Sequence, residues 1–213
     1  MRFIFHSSLF CSLIVTSLIA IRYKTKHQVL RKKILKTVYQ ETSLVNFENI
    51  DLSKQDLLVS GPIKSSIKIH RSYPAPIKNS KKYLGWNIEG INLGHIVLNF
   101  GSSPKIKDHC YQINIWVYGN MNKAILYITL EDTLKNIHTL KVGSLKFRGW
   151  KKLTVVLPDH VNQQNLQINS QNEIRLIKLR VDPGPKSRFQ PWQQFYIDDI
   201  IAITRPKYLL PDD

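Results

Sequence analysis

The strongest constraint on what this chain can fold into is a period of two. In YQINIWVYG, Ile113, Ile115 and Val117 alternate with Asn114, Trp116 and Tyr118, which gives a strand one core-facing side. GNMNK supplies turn residues, and AILYITLED then sets Leu126, Ile128 and Leu130 on one face. TLKN turns the chain again and IHTLKV runs back, so the spacing predicts a three-stranded antiparallel meander. KVGSLKFRGWKKLTVVLP carries the pattern on, with Leu153, Val155 and Leu157 alternating with Lys152, Thr154 and Val156. Pro158 has no N–H to give a ladder and ends that strand.

The same texture extends in both directions. NEIRLIKLRVD and QFYIDDIIAITR read as two further strands, with Pro183, Gly184 and Pro185 marking the loop between them. LVNFENI, LGWNIEG and HIVLNF read as three earlier ones. Eight or more strands without helical periodicity predict an all-β fold, an antiparallel β-sandwich or jelly roll, over residues 44–206. A chain of 213 residues, 43% hydrophobic, can bury one such core and carry a tail, here residues 207–213.

The N-terminus has a different composition. Arg2 precedes an apolar run from Phe3 to Ile21, and Arg22 to Lys36 holds seven basic residues and no acid. The positive start and apolar centre suit an export signal, whereas trailing positive charge suits a retained anchor; both readings stand for residues 1–22. Residues 23–43 read as a basic linker, helical over about 24–40, where Leu30, Ile34 and Val38 share a face. No later apolar run approaches the ~20 residues a crossing needs, so any membrane link runs through this segment.

The formal charge of +16 limits the partners. Residues 1–43 hold eight Lys and Arg against Glu41, which leaves about +9 on the body. Nucleic acid, an anionic membrane or an acidic protein would all suit such a charge. The basic residues are spread without a recognition motif, and an exported chain does not meet nucleic acid, so that class is set aside.

Catalytic patterns are missing. There is no Cys-x-x-Cys or His-Glu-x-x-His cluster, no Gly-rich phosphate loop and no Gly-x-Ser-x-Gly elbow, so no cofactor, resident metal or reaction is implied. His70, His95, His109, His138 and His160 stand singly and read as surface or turn residues. Cys110 is alone in the body and reads as a small half-buried side chain beside a strand. Glu131–Asp132 and Asp198–Asp199 are adjacent pairs, which on a regular strand point to opposite faces. Glu48 with Asp198 or Asp199 has two readings: solvated acids, or a structural calcium site at a sandwich edge. Trp86, Trp116, Trp150 and Trp192 allow a carbohydrate-binding jelly roll, with Trp116 the best stacking candidate. A core or a protein interface is the preferred reading of these rings.

The stretch INIWVYGNMNKAILYITLEDTLKNIHTLKVGSLKFRGWKKLTVVLP resembles the central signature of the spirochaete flagellar filament outer-layer protein family, FlaA. The shared pattern falls at Trp116, Tyr118, Gly119, Asp132, Gly143, Leu145, Phe147, Gly149, Trp150, Lys151 and Pro158. Downstream, IRLIKLRVDPGPKSRFQPWQQFYIDDIIAI is similar in order, and LVNFENI resembles the first strand. The resemblance spans residues 44–205 and is most specific at 113–158. It implies a non-enzymatic sheath protein of the periplasm, bound to the flagellin core of periplasmic flagella and to neighbouring sheath subunits, where it modulates filament shape and motility. Trp116, Tyr118, Trp150, Lys151 and Lys152 would then be candidate partner-binding residues. A periplasmic or surface carbohydrate-binding module is the alternative.

Overall fold

The structure, a computed structural model, describes residues 39–52, 55–77, 79–90, 94–163, 173–184 and 192–205. Contacts divide the chain into Met1–Gln40 and Glu41–Asp213, and the second unit carries the fold that follows. The expected signal or anchor segment, the tail, and all but the last two residues of the helical stretch lie outside the described residues.

Alternation produces twelve strands among the described residues. They are β1 (Gln40–Val45), β2 (Asp56–Ser60), β3 (Ile63–His70), β4 (Tyr83–Gly90), β5 (His95–Asn99) and β6 (Lys105–Ile106). There follow β7 (His109–Asn120), β8 (Ile125–Glu131), β9 (Ile137–Ser144), β10 (Arg148–Val156), β11 (Ile174–Asp182) and β12 (Trp192–Arg205). Two six-stranded sheets result. One runs β10-β7-β12-β4-β3 with β1 also on β12; the other runs β2-β5-β11-β8-β9 with β6 on β11.

The core lies where the two apolar faces meet. Leu84, Trp86, Ile113, Ile115, Phe195 and Ile197 fill it from the first sheet, and Ile96, Leu98, Leu126, Ile128, Leu130 and Leu179 from the second. Trp86 and Phe195, direct cross-strand partners, stack with centroids 5.5 Å apart. The indole N–H of Trp86 donates to Ser65 Oγ at 2.9 Å, so burying this ring strands no donor. The fold is the predicted antiparallel β-sandwich, wound as a jelly roll.

Three expectations change. The predicted meander is absent: β8 and β9 pair as a hairpin, but β7 lies in the other sheet between β10 and β12. The step before β8 is the cause. Met121 takes a φ of 55°, and buried Asn122 accepts the Ala124 N–H on its side chain, so the chain crosses the sandwich instead of doubling back. The link from β9 to β10 makes the return crossing, and β10 therefore pairs with β7 as β9 pairs with β8. β4 on β12 and β5 on β11 repeat this rolled double hairpin.

The first strand also lies earlier than LVNFENI suggests. It ends at Val45, and Phe47 drops into the core beyond it. Strands β2 and β3 went unread in the sequence. In β3, Ile63, Ile67 and Ile69 alternate with exposed Lys64, Ser66 and Lys68, and a Gly61 with φ of 92° precedes it.

Candidate functional site

The outer face of the first sheet collects most of the singled-out residues. Register sets Trp150 beside Tyr118 and Tyr118 beside Tyr196, while His70 faces Tyr83. Five rings thereby form one aromatic row across five strands. Tyr118 meets Trp150 at 5.6 Å and Tyr196 at 5.4 Å; Tyr83 meets Tyr196 at 5.2 Å and Trp150 at 5.6 Å. His70 stacks on Tyr83 at 5.7 Å. Most of these contacts are edge-on or tilted, the arrangement ring quadrupoles favour.

The segment between β3 and β4 roofs this row. The Trp150 indole donates to the Tyr73 carbonyl at 3.0 Å, and the Tyr73 amide donates to the Tyr83 hydroxyl at 3.2 Å. The Ser80 hydroxyl and the Ala75 amide donate to Asp198 Oδ2 at 2.6 and 3.3 Å. Tyr83 is buried under this cover, and Tyr118, Tyr196 and Trp150 are half-buried. Burial pushes the Tyr196 hydroxyl up, and neighbouring Tyr83 and Tyr118 add to it. Gly85 is what lets His70 lie over β4, since a Cβ there would stand 2.4 Å from the imidazole.

The five expected partner-binding residues are therefore not one patch. Trp116, half-buried, stands opposite exposed Lys152 in the ladder, on the same outer face as Tyr118 and Trp150. Lys151 projects from the other side of β10, with its ammonium 5.6 Å from the Phe147 ring centroid. β10 is an edge of its sheet, and Lys146, Arg148, Lys151 and Lys152 are all exposed on or just before it. The Gly-Trp step has a local cause. Gly149 sits at φ 89°, where glycine is favoured, and a Cβ on Gly119 opposite would lie 2.5 Å from the Phe147 carbonyl.

The acids behave differently from a regular strand. A bulge between Asp198 and Ile200, with Asp199 at φ 31°, breaks the alternation that would send the pair to opposite faces. Burial raises the Asp198 carboxyl; donation from Ser80, Ala75 and Asp199 pulls it back, and the charge of Glu48 pushes it up again. Burial, then Asp198, then Glu48 raise Asp199 to about 6. Glu48 itself is held below its usual range, first by the Lys81 amide, with the Lys82 amide also donating at 2.8 Å. The three acids are close enough for their charges to act on one another, but the contacts of Asp198 and Glu48 clasp the roofing segment. Among the described residues, no group of three His, Cys, Asp or Glu side chains is placed to hold a metal ion.

Two more readings change on inspection of single residues. His138 is no isolated surface histidine: its Nε2 lies 2.8 Å from buried Asp132 Oδ2. Burial opposes ionisation of Asp132, yet His138 and the Asn136 and Leu134 donors hold it at about 2. Cys110 is fully buried rather than half-buried, and burial pushes its thiol up to about 12. Trp192, given no weight over the other tryptophans in the sequence, is the exposed one, at 68%.

Comparison with known proteins bears on these features. A flagellar filament outer layer-like protein of Brachyspira hyodysenteriae is 23% identical over 131 residues, covering 60% of this chain. The match takes in 59% of that relative's length. A family 11 carbohydrate-binding module from Clostridium thermocellum, solved with a mixed-linked tetrasaccharide, superposes with a TM-score of 0.50. It shares 14% identity over 79% of this chain and 98% of its own. Carbohydrate-binding modules of the β-sandwich superfamily give the same score at 12% identity, over 75% of this chain and 60% of theirs. These likenesses establish the β-sandwich. The sequence profile of the flagellar filament outer layer protein FlaA matches residues 69–208, nearly the whole sandwich from the end of β3 onward, and this chain belongs to that family.

Proposed function

We propose that this protein is a non-enzymatic outer-layer subunit of a periplasmic flagellar filament, that it binds the flagellin core and neighbouring outer-layer subunits, and that strand β10 makes one of those contacts. Membership of the filament outer layer family supports the location on the filament. The observation that carries the contact is the open, basic edge of β10. Its four exposed cations flank a half-exposed aromatic surface made by Trp116 and Trp150. Charge of one sign steers encounter with an acidic surface, while screened rim charges add little once contact is made. The aromatic part then supplies the lasting attraction. In this role the roofing segment keeps the outer face rigid, and the β-sandwich is scaffold.

Co-sedimentation with isolated filaments tests the reading. Bound protein should decrease but persist as salt rises toward about 0.5 M, where screening is nearly complete beyond a few ångströms. The double variant K151E/K152E should lose binding at low salt with an unchanged melting temperature. Failure to co-sediment at any ionic strength refutes the assignment to the filament.

A further inference from the structure

The end of the first sheet away from the roofed aromatic row is open, and its side chains are of a different kind. Two cross-strand rows cover it. Lys64, Glu89 and Trp192 are register partners in one row, and Ser66, Asn87 and Gln194 in the next. They line a trough of about 390 Å³. Rows on one face are two residues apart, about 7 Å, and strands about 4.8 Å apart, so the backbone positions of the six residues span roughly 7 by 10 Å, with the side chains extending the trough beyond that. Beyond it the His70 ring lies over Gly85, and with Tyr196 it walls off that end.

Among the described residues, the side chains of Ser66, Asn87, Glu89 and Gln194 make no hydrogen bond, in contrast to Asn114, Asn122 and Gln193 elsewhere in the fold. Two amides, a hydroxyl and a carboxylate thus face outward together, offering alternating donors and acceptors. At their edge stands Trp192, 68% exposed and the most exposed tryptophan among the described residues. A large ring left in water at the rim of a polar trough offers a flat apolar face whose burial by a ligand would be favourable.

The chemistry of the lining selects the ligand. A protein interface is centred on a desolvated apolar cluster, whereas here the apolar content is one indole and the floor is polar. An anionic polymer would need excess positive charge; Lys64 and Glu89 cancel, although the whole chain carries +16. A neutral sugar fits both facts. The C–H face of a pyranose covers an indole, and its ring hydroxyls, each donor and acceptor, meet amide and carboxylate groups in the plane of the sheet. We infer that the Trp192 trough binds a neutral saccharide of two or three units, with Trp192 as stacking platform and Asn87, Gln194 and Glu89 as hydroxyl partners. This site is separate from the β10 edge, so it can hold or fail independently of the filament contact.

The test is calorimetric and fluorimetric titration of the full-length protein with a mixed-linked β-glucan tetrasaccharide and with chitotetraose, each to about 10 mM. Polygalacturonate oligomers serve as the anionic probe. Expected are saturable binding of at least one neutral probe, a blue shift of tryptophan emission, and little change between 50 mM and 500 mM salt. W192A should weaken binding at least about tenfold, roughly 1.4 kcal/mol, with an unchanged melting temperature because the ring is exposed. N87A/Q194A should weaken it comparably. Filament co-sedimentation by W192A should be unaffected. Binding by none of the neutral probes, undiminished binding by W192A, or binding of the anionic probe alone with loss in salt each overturns the inference.

Discussion

Replacing Trp150 tests whether the roofed aromatic row holds the outer face together. The ring contributes three things that the structure separates. Its N–H donates to the Tyr73 carbonyl at 3.0 Å, a bond contributing about 1 kcal/mol net. It meets Tyr83 and Tyr118 edge-on, each pair adding about 0.5–1.5 kcal/mol beyond area burial. Half-burial of the ring adds a fraction of the roughly 3–5 kcal/mol measured for fully buried Trp→Ala changes. These contributions overlap, and together they give a loss of about 2–4 kcal/mol for Trp150→Ala. Trp150→Phe keeps the ring contacts and loses the N–H, so it should cost only about 1 kcal/mol. Urea denaturation measures both, and the Ala variant should also melt roughly 5–15 °C lower. Because Tyr73 is tied down by this ring, trypsin should cut after exposed Arg71 faster in both variants. A loss below about 1 kcal/mol in Trp150→Ala, with cleavage at Arg71 unchanged, would refute the idea that the ring anchors the cover.

Three further outcomes follow from single residues. Asp199, raised to about 6, favours the folded state most when protonated: that contribution is complete below the unfolded value near 3.9 and is lost as pH rises through about 6. Asp199→Asn, which also tolerates the φ of 31°, should stabilise the protein at pH 7.5 by about 1 kcal/mol and flatten its melting temperature between pH 4 and 6. Asp132 has the opposite sign. Held at about 2, it stabilises above the unfolded value near 3.9 and loses that as pH falls through 2, so Asp132→Asn should cost about 2 kcal/mol at pH 7 by thermal or urea melting. Cys110, buried and raised to about 12, should resist iodoacetamide at pH 8 in the native state and react only on unfolding, as mass spectrometry would report.

Strand identity was legible because period-two alternation and burial share one cause. Ile113, Ile115, Val117, Leu126, Ile128 and Leu130 are all fully buried, as their spacing requires. Sheet membership was not legible. Alternation fixes which side of a strand faces the core, and nothing local records which sheet the strand joins; that depended on a positive φ at Met121 and the side chain of buried Asn122. The chemistry divided similarly. Trp116 and Tyr118 could be placed on one side of their strand by alternation, whereas Trp150 joins them only through the register of β10 on β7. Their partners Tyr83, Tyr196 and His70 come from strands distant in sequence and meet them only through strand order. Gly85 carried a signal that went unused: a glycine inside the apolar strand LGWNIEG marks a close approach, here by the His70 ring. Trp192 gave none, since exposure depends on the edge of a trough built by β3 and β4.

The charge distribution narrows how such a subunit can pack. An unpaired strand edge invites another edge, and lysines along it are the usual deterrent. β10 carries Arg148, Lys151 and Lys152, with Lys146 just before it, so two copies meeting edge to edge would bring eight cations together. At the spacing of paired strands such charges lie well inside the screening length of about 8 Å, and salt would relieve little of the repulsion. Self-pairing through β10 is therefore opposed at every physiological ionic strength, while approach to an acidic surface is favoured by the same residues. Under the proposed role, one strand would both oppose self-pairing and favour an acidic partner. A basic body near +9 extends the argument to the whole chain: in the proposed outer-layer role, a dense layer of this chain alone would repel itself, and alternation with, or support by, protein of opposite sign would relieve that repulsion.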